Sequence, residues 1–351
     1  MARKTACESP GGPARQRLVL LAQHWWWIEA RERGIIDYAQ SHGWQLLDLR
    51  CFEMKMTRFV RPDGVLFSLA HEELPLARQL LRLDVPAVQI QDQFLPIQCP
   101  GVTRDRAMIG RIAAEHFAER GFGQVAYVRS VNWKRSPEKV ICESFVSHAR
   151  DLGMDARAFT LGRPGRDVPW TRIGVFSGRL QKQLASIKPP VGIFTHHDIM
   201  ASRTCHFCAA AGLRVPEQVA VLGMGNNPLI CGCAPVPLSS VDSNQYGCGW
   251  AAAELLDRLM DGRAAPAECV LVSAVGVVTR QSTDMLAIPD VDTARALRYL
   301  WEHLGEPLNV DRVAGAVGVS RRTLDRDFRM HLGRSVIEEL NRKRIERCCE
   351  L

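Results

Sequence analysis

The chain is 351 residues long, with 46% apolar and 24% charged residues, and its 45 Lys plus Arg against 38 Asp plus Glu leave a formal charge of +7 with the histidines neutral. This length accommodates two or three domains of roughly 150 residues each, and the composition excludes intrinsic disorder and collagen-like repeats. So mild a net charge does not by itself identify a nucleic-acid binder; the placement of the positive residues decides that.

The first 16 residues are basic and run straight into a strand-like segment, without the apolar stretch and cleavage site of an export signal. They are expected to form a flexible tail on a cytoplasmic protein. The longest candidate membrane stretch, Leu18 to Ile28, is interrupted by Gln23 and His24 and falls far short of the roughly 20 apolar residues that span a bilayer. From Arg17 onward, short apolar runs alternate with amphipathic stretches. Strands are expected at Arg17 to Ala22, Trp44 to Leu49, Gly64 to Ser68 and Ala87 to Ile90, with helices at Glu29 to Ser41, Leu74 to Leu83 and Arg106 to Arg120. The rhythm repeats with strands at Val125 to Val128, Ala156 to Leu161, Val191 to Thr195 and Val219 to Gly223, and helices at Ser136 to Asp151, Ser177 to Ile187 and Met200 to Gly212. The strands lack period-2 alternation, as strands covered on both faces do. Alternating strands and crossover helices predict an α/β fold with two parallel sheets over residues 17–284.

Residues 285–292 read as a linker, after which only helical periodicity remains, in a small all-α domain over 293–351. A helix over Thr293 to Leu304 is stopped by Gly305 and Pro307. Val310 to Val317, with Asn309 to cap it, the turn at Gly318, and a further helix to about His331 have helix-turn-helix spacing. Val313, Ala314, Val317 and Val319 would pack the two helices together, with Leu324 and Phe328 facing inward. Ser320 would cap the second helix and place Arg321, Arg322, Thr323 and Arg326 near its start, where base edges and phosphates of double-stranded DNA are reached. Between Arg321 and Arg329 four Arg outweigh two Asp. The same pattern fits a solvated face in a helical bundle.

Three further segments, GLRVPEQVAVLG (Gly212 to Gly223), PLSSVD (Pro237 to Asp242) and VVTRQSTD (Val277 to Asp284), precede the helix-turn-helix in that order. With it, they make the chain resemble the XylR-type sugar-responsive regulators of the AraC family. The resemblance implies a LacI-like, type I periplasmic-binding-protein-like sensor of two α/β subdomains, with a sugar in the cleft between them, followed by an AraC-type DNA-binding domain. It implies a homodimer with a small-molecule effector, no cofactor and no enzymatic activity. AraC-type domains carry two helix-turn-helix units joined by a long helix. Val336 to Leu351 reads as the start of that joining helix, so a domain truncated after its first unit is expected, leaning on dimerisation. The alternative is a ligand-binding module or decayed regulator with little DNA binding.

In that family Asp198, just after the strand Val191 to Thr195, matches a ligand-binding Asp; helix N-cap is its other role, and the two coexist. Asn226 is the second expected ligand contact. The chain departs from the pattern at Gly225, where an Asp is usual, and at Ile141, four residues before Phe145, where many relatives have Arg. Asn227, Lys139 and Arg135 are possible substitutes. In the run His24-Trp25-Trp26-Trp27, Trp25 and Trp27 are expected to stack on a sugar face, with a surface or dimer patch as the alternative; Trp133 and Trp170 rank below them. Cys205-His206-Phe207-Cys208 has a metal or redox reading with His196, His197, Cys231 or Cys233 as further ligands. However, Ala201, Cys205, Cys208 and Gly212 share one helical face, which suits small buried thiols against a sheet, and no metal is expected. The twelve cysteines are expected to be reduced, since a core of this size needs no staples. Neither a dinucleotide fingerprint, a nucleophile elbow nor a phosphate-binding loop is found.

Overall fold

Strands buried on both faces organise the molecule. The computed structural model describes residues 16–23, 29–51, 60–91, 95–129, 137–160, 189–285, 287 and 290–349. These fall into two units, Met1–Asp105 with Asn244–Ser273, and Arg106–Ser243 with Ala274–Leu351. The expected tail and the helix expected at Ser177 to Ile187 lie outside the described residues.

In the first unit, β1 (Leu18–Gln23), β2 (Gln45–Asp48), β3 (Gly64–Ser68), β4 (Ala87–Ile90), β5 (Gly101–Arg104) and β11 (Val270–Val272) form one sheet. Its order is β11-β5-β4-β3-β1-β2, and every pairing is parallel. Val19 and Leu21 of β1 join Leu66 and Val88 in one core, while Leu20 and Ala22 join Val65 and Phe67 in a second core on the opposite face. That is the two-sided burial anticipated from the missing alternation. Helix α1 (Glu29–Ser41) covers the first face, α2 (Leu74–Leu81) the second.

The second unit repeats the plan with β6 (Gln124–Arg129), β7 (Asp155–Thr160), β8 (Val191–Thr195), β9 (Val219–Met224), β10 (Ser239–Asp242) and β12 (Gly276–Val278). The order is β12-β10-β9-β8-β6-β7, with β12 antiparallel to β10 and the rest parallel. Along β9, Ala220, Leu222 and Met224 face a core shared with α3 (Arg106–Glu119) and α4 (Glu138–Asp151). Val219 and Val221 face a core shared with α5 (Asp198–Ala210) and α6 (Pro228–Cys233).

Helix α7 (Gln245–Met260) of the first unit, and the short strands β5, β10, β11 and β12, are elements that the periodicity did not reveal. Two glycines explain the form of α7. A Cβ on Gly249 would lie 2.1 Å from the Arg31 carbonyl oxygen of α1, and one on Gly34 would lie 2.2 Å from the Tyr246 carbonyl oxygen of α7. The two helices therefore cross almost backbone to backbone, a contact only glycine permits.

The helical region of the second unit comprises α8 (Val291–Glu302), α9 (Val310–Val317), α10 (Arg321–Leu332) and α11 (Val336–Cys349). Helix α8 starts two residues before the expected Thr293, because Asp290 caps it by accepting the Thr293 N–H at 2.7 Å. Within the segment expected as a linker, Ala287 is buried in the α3–α4 core with Met285 against it, and the Ala287 N–H donates to the Arg120 carbonyl at 2.8 Å. Ala296, Leu297, Leu300, Val313, Ala314, Val317, Leu324 and Phe328 form the helical core.

Candidate functional site

Open parallel sheets bind ligands beyond the carboxyl ends of their strands, and in the second unit that edge is dense in polar groups. Asp198 is the first residue of α5, with His197 in the N-cap position, so the N-cap alternative for Asp198 does not apply. Its side chain turns inward and is only 3% exposed. One carboxylate oxygen accepts the Ser240 hydroxyl at 2.6 Å, and the other accepts the Asn227 N–H at 2.8 Å. Burial pushes the carboxyl above its usual range, and the hydrogen bonds from Ser240, Asn227 and Cys231, with the charge of Arg280, oppose that rise.

The loop after β9 wraps this carboxylate. A Cβ on Gly223 would stand 2.4 Å from Asp198 Oδ1, and Gly225, at φ +118°, would place one 3.3 Å from Oδ2. Gly225, where the resemblance leads one to expect Asp, is thus a backbone device for closing the loop over Asp198. Asn226 follows in the left-handed region at φ +52° and is half-buried. Its N–H donates to Ser240 Oγ at 3.0 Å, its Nδ2 donates to Asp242 at 3.1 Å, and its Oδ1 accepts from Arg280 Nη2 at 2.8 Å. Arg280 is anchored in turn through Nη1 to the Leu238 carbonyl at 2.8 Å. The structure thus joins the two expected ligand residues through Ser240 and the Asn227 backbone. It leaves Asn226 and Asp242 at the accessible edge and Asp198 beneath them.

Sequence reasoning did not single out Ser240, Asp242 or Arg280, although all three lie in the quoted PLSSVD and VVTRQSTD segments. It also missed the buried pair Glu138 and His196, whose carboxylate and Nδ1 are 3.3 Å apart. At the corresponding edge of the first sheet, Gln23, Ser68 and Gln89 lie near the ends of adjacent strands. The side-chain amides of Gln23 and Gln89 hold buried polar atoms with no hydrogen-bond partner among the described residues. A glutamine closing an apolar run was the signal available for Gln23.

Other expected residues fall elsewhere. Trp25, Trp27, Trp133, Arg135 and Trp170 lie outside the described residues. Lys139 points to Glu143, 3.7 Å away on the exposed face of α4, and Ile141 packs into the core beside Phe145. Cys205 and Cys208 are buried in the α5–β9 core while His206 is exposed, so the three do not converge. Burial pushes both thiols up to about 12, which keeps them protonated and poor metal ligands.

The two helices expected over Val310 to Val317 and from Ser320 onward are present as α9 and α10, with the expected caps. Asn309 caps α9 by accepting the Arg312 N–H at 2.8 Å, and Gly318, at φ +81°, ends it. Ser320 caps α10 by accepting the Thr323 N–H at 3.1 Å, and its hydroxyl lies 2.8 Å from that of Thr323. Arg321, Arg322 and Arg326 are exposed on the following turns. Arg321 reaches Asp311 at 3.4 Å and Arg326 reaches Asp327 at 2.9 Å, both exposed pairs that hold the side chains weakly.

A family of periplasmic binding protein-like domains matches residues 114–283. The xylose operon regulatory protein of Escherichia coli K12 is 32% identical over 173 residues, which are 49% of this chain and 44% of that protein. The chain thus spans under half of that relative. The HTH-type transcriptional repressor CytR of the same organism is 33% identical over 253 residues, 66% of this chain and 68% of the repressor. Among solved structures, a xylose-binding transcription activator, XylR, superposes with a TM-score of 0.65 at 22% identity, over 95% of this chain and 87% of that one, a likeness of fold. Taken with the two largely parallel sheets and the polar carboxyl edge, these likenesses place the chain in the family of transcription regulators built on a periplasmic-binding-protein-like sensor.

Proposed function

We propose that this protein is a cytoplasmic, homodimeric transcription regulator in which a small hydroxyl-rich effector, a sugar, alters the binding of an AraC-type helix-turn-helix to double-stranded DNA. The observation that carries the reading is α10. Its start is capped by Ser320, and it presents Arg321, Arg322 and Arg326 to solvent at the end of the helix that favours anions. Arginine there clamps phosphate or pairs with guanine, and Thr323 and Ser320 add hydroxyl donors. On the sensor side, Asn226 is the direct effector contact and Asp198 acts through the loop it holds. Every bond in that loop runs between groups a sugar hydroxyl can replace, donor for donor and acceptor for acceptor.

A sugar that prefers one conformation of the loop shifts the population toward it, and only that preference changes DNA affinity. The test is fluorescence anisotropy of the purified chain on DNA flanking its own gene, with and without a panel of pentoses and hexoses. Site-specific binding that a sugar strengthens or weakens is the expected result. The second reading, a sensor module with little DNA binding, is favoured by the pairing of Arg321 and Arg326 with Asp311 and Asp327. It prevails when a sugar binds but no DNA sequence is retained above the background set by random duplex.

A further inference from the structure

Beyond the Asn226 loop, the second unit holds a set of buried polar residues that neither effector nor DNA binding uses: His116 and Arg120 at the end of α3, Ser239 on β10, and Thr283. Their hydrogen bonds have one possible direction. A guanidinium only donates, so Arg120 Nη1, 3.0 Å from His116 Nδ1, donates to it. The imidazole proton therefore sits on Nε2, which donates to Thr283 Oγ1 at 2.9 Å. Thr283 Oγ1 donates to Ser239 Oγ at 2.7 Å. Ser239 Oγ in turn donates to the Arg280 carbonyl and accepts the Arg280 N–H, both at 2.8 Å. Arg280 Nη2 closes the series on Asn226 Oδ1 at 2.8 Å. Burial and the charges of Arg120 and Lys343 hold the His116 imidazole well below its ordinary range, hence neutral, as this proton order requires.

At its other end the series meets the helical region. The Arg120 guanidinium lies 5.3 Å from the centre of the Trp301 ring, and Lys343 Nζ lies 5.4 Å from that centre, distances at which cation–π attraction operates. Arg342 and Lys343 of α11 reach the Glu119 carboxylate of α3 at 2.6 and 3.0 Å. Trp301 Nε1 and Arg342 Nη2 both donate to Glu339, at 3.3 and 2.8 Å. The tip of α3 is thereby clasped by α8 and α11, and the same tip holds the segment from Arg280 to Thr283.

We propose that this directed series, Asn226–Arg280–Ser239–Thr283–His116–Arg120–Trp301, is the link through which the state of the Asn226 loop sets how firmly the helical region is attached to the α/β unit. The proposal rests on the reading of that loop as the effector site. When a ligand hydroxyl takes the place of Arg280 on Asn226, the guanidinium loses its outward partner. The backbone of Arg280 is tied to Ser239, and its shift strains the Ser239–Thr283 and Thr283–His116 bonds. Each hydroxyl in the series has its proton committed, so a break at one point is not repaired by flipping the next group.

Amide hydrogen exchange of the full chain, with neither sugar nor DNA, tests the link by a double-mutant cycle. Asn226→Ala is expected to speed exchange in α8 and α11 by about fivefold or more, as opening of a coupled unit requires. In Thr283→Val those amides already exchange fast, and adding Asn226→Ala changes them by less than about twofold, because the series is already cut. The inference is overturned when Asn226→Ala leaves α8 and α11 at the parental rate, or when the effects of the two substitutions multiply. Should Thr283→Val disturb β8 and β9 as well, Ser239→Ala breaks the same series and replaces it. The effector reading is judged separately: it fails when no sugar slows exchange in the loop around Asn226, and the variant cycle still decides the link.

Discussion

Replacing Arg321 and Arg322 together by Ala is expected to weaken DNA binding in a way that depends steeply on salt. Both side chains are exposed on the first turn of α10, on a backbone fixed by the Ser320 cap, so truncation removes charge without disturbing the helical core. The pairing of Arg321 with Asp311, more than half exposed on both sides, is worth at most about 1 kcal/mol and yields to a phosphate. Each phosphate contact contributes about −0.9 to the slope of log affinity against log salt. If both arginines contact phosphate, the variant loses about 1.8 from that slope. Its deficit relative to the parent then shrinks about twelvefold between about 50 and 200 mM salt. Anisotropy titrations of both proteins on one duplex at the two salt concentrations measure this directly. A deficit unchanged by salt means the arginines are not bound to phosphate, and no deficit at either concentration removes α10 from the interface.

Gly249→Ala places a methyl 2.1 Å from the Arg31 carbonyl, forces α1 and α7 apart, and is expected to cost about 1–3 kcal/mol, read as a lower urea midpoint at unchanged slope. Phe328→Ala empties the centre of the helical core, where the ring is fully buried. A loss of about 3–5 kcal/mol is expected to abolish DNA retention while the α/β units keep their circular dichroism; retained DNA binding would count against Phe328 as the keystone of α10. For His116 the sign follows from a depressed folded value. The unfolded chain takes up the proton below the ordinary 6.5 and the folded chain does not, so this contribution to stability is present above that pH and lost below it. The loss approaches about 1.4 kcal/mol per pH unit. Asp198, whose carboxyl is raised, acts in the opposite direction, so the measurement is the difference in urea stability between the parent and His116→Gln from about pH 7 to 5; a pH-independent difference refutes the neutral, buried assignment.

Much of the fold was legible because the strands are continuous apolar runs and the helix caps are short polar residues with fixed chemistry. Asn309, Gly318 and Ser320 marked α9 and the start of α10 to the residue. Helix α7 escaped because Gly247 and Gly249 depress any local helix reading; Gly249 is there for the crossing with α1, which is a tertiary fact, and Gly247 gives room to the capping Asn244 side chain. Strands β11 and β12 are three residues each, too short to show a period, and depend on their neighbours in the sheet. At the site, residue types were legible and their depth was not. Asp198 was visible as a carboxylate after a strand. Its position beneath the loop follows from Gly223 and Gly225 admitting backbone to its oxygens, which no spacing rule announces. The role of Arg280 depends on Asn226, 54 positions away in the chain.

The two ends of the second unit are held by different physics, and the difference bears on how a regulator can work. The helical region is fixed by apolar packing around Phe328 and Leu324, which no small polar ligand can replace. The Asn226 loop is fixed by hydrogen bonds to Ser240, Asp242 and Arg280. Such bonds each contribute only about 0.5–1.5 kcal/mol net, or up to about 3 kcal/mol where a charge takes part. A hydroxyl-rich ligand offers the same donors and acceptors, so exchanging one partner for another changes the loop at a cost its own binding can meet. A rigid helical core and a loop whose bonds are individually replaceable are what a ligand of modest affinity needs to shift a population, because its leverage is limited to its differential affinity for the two states.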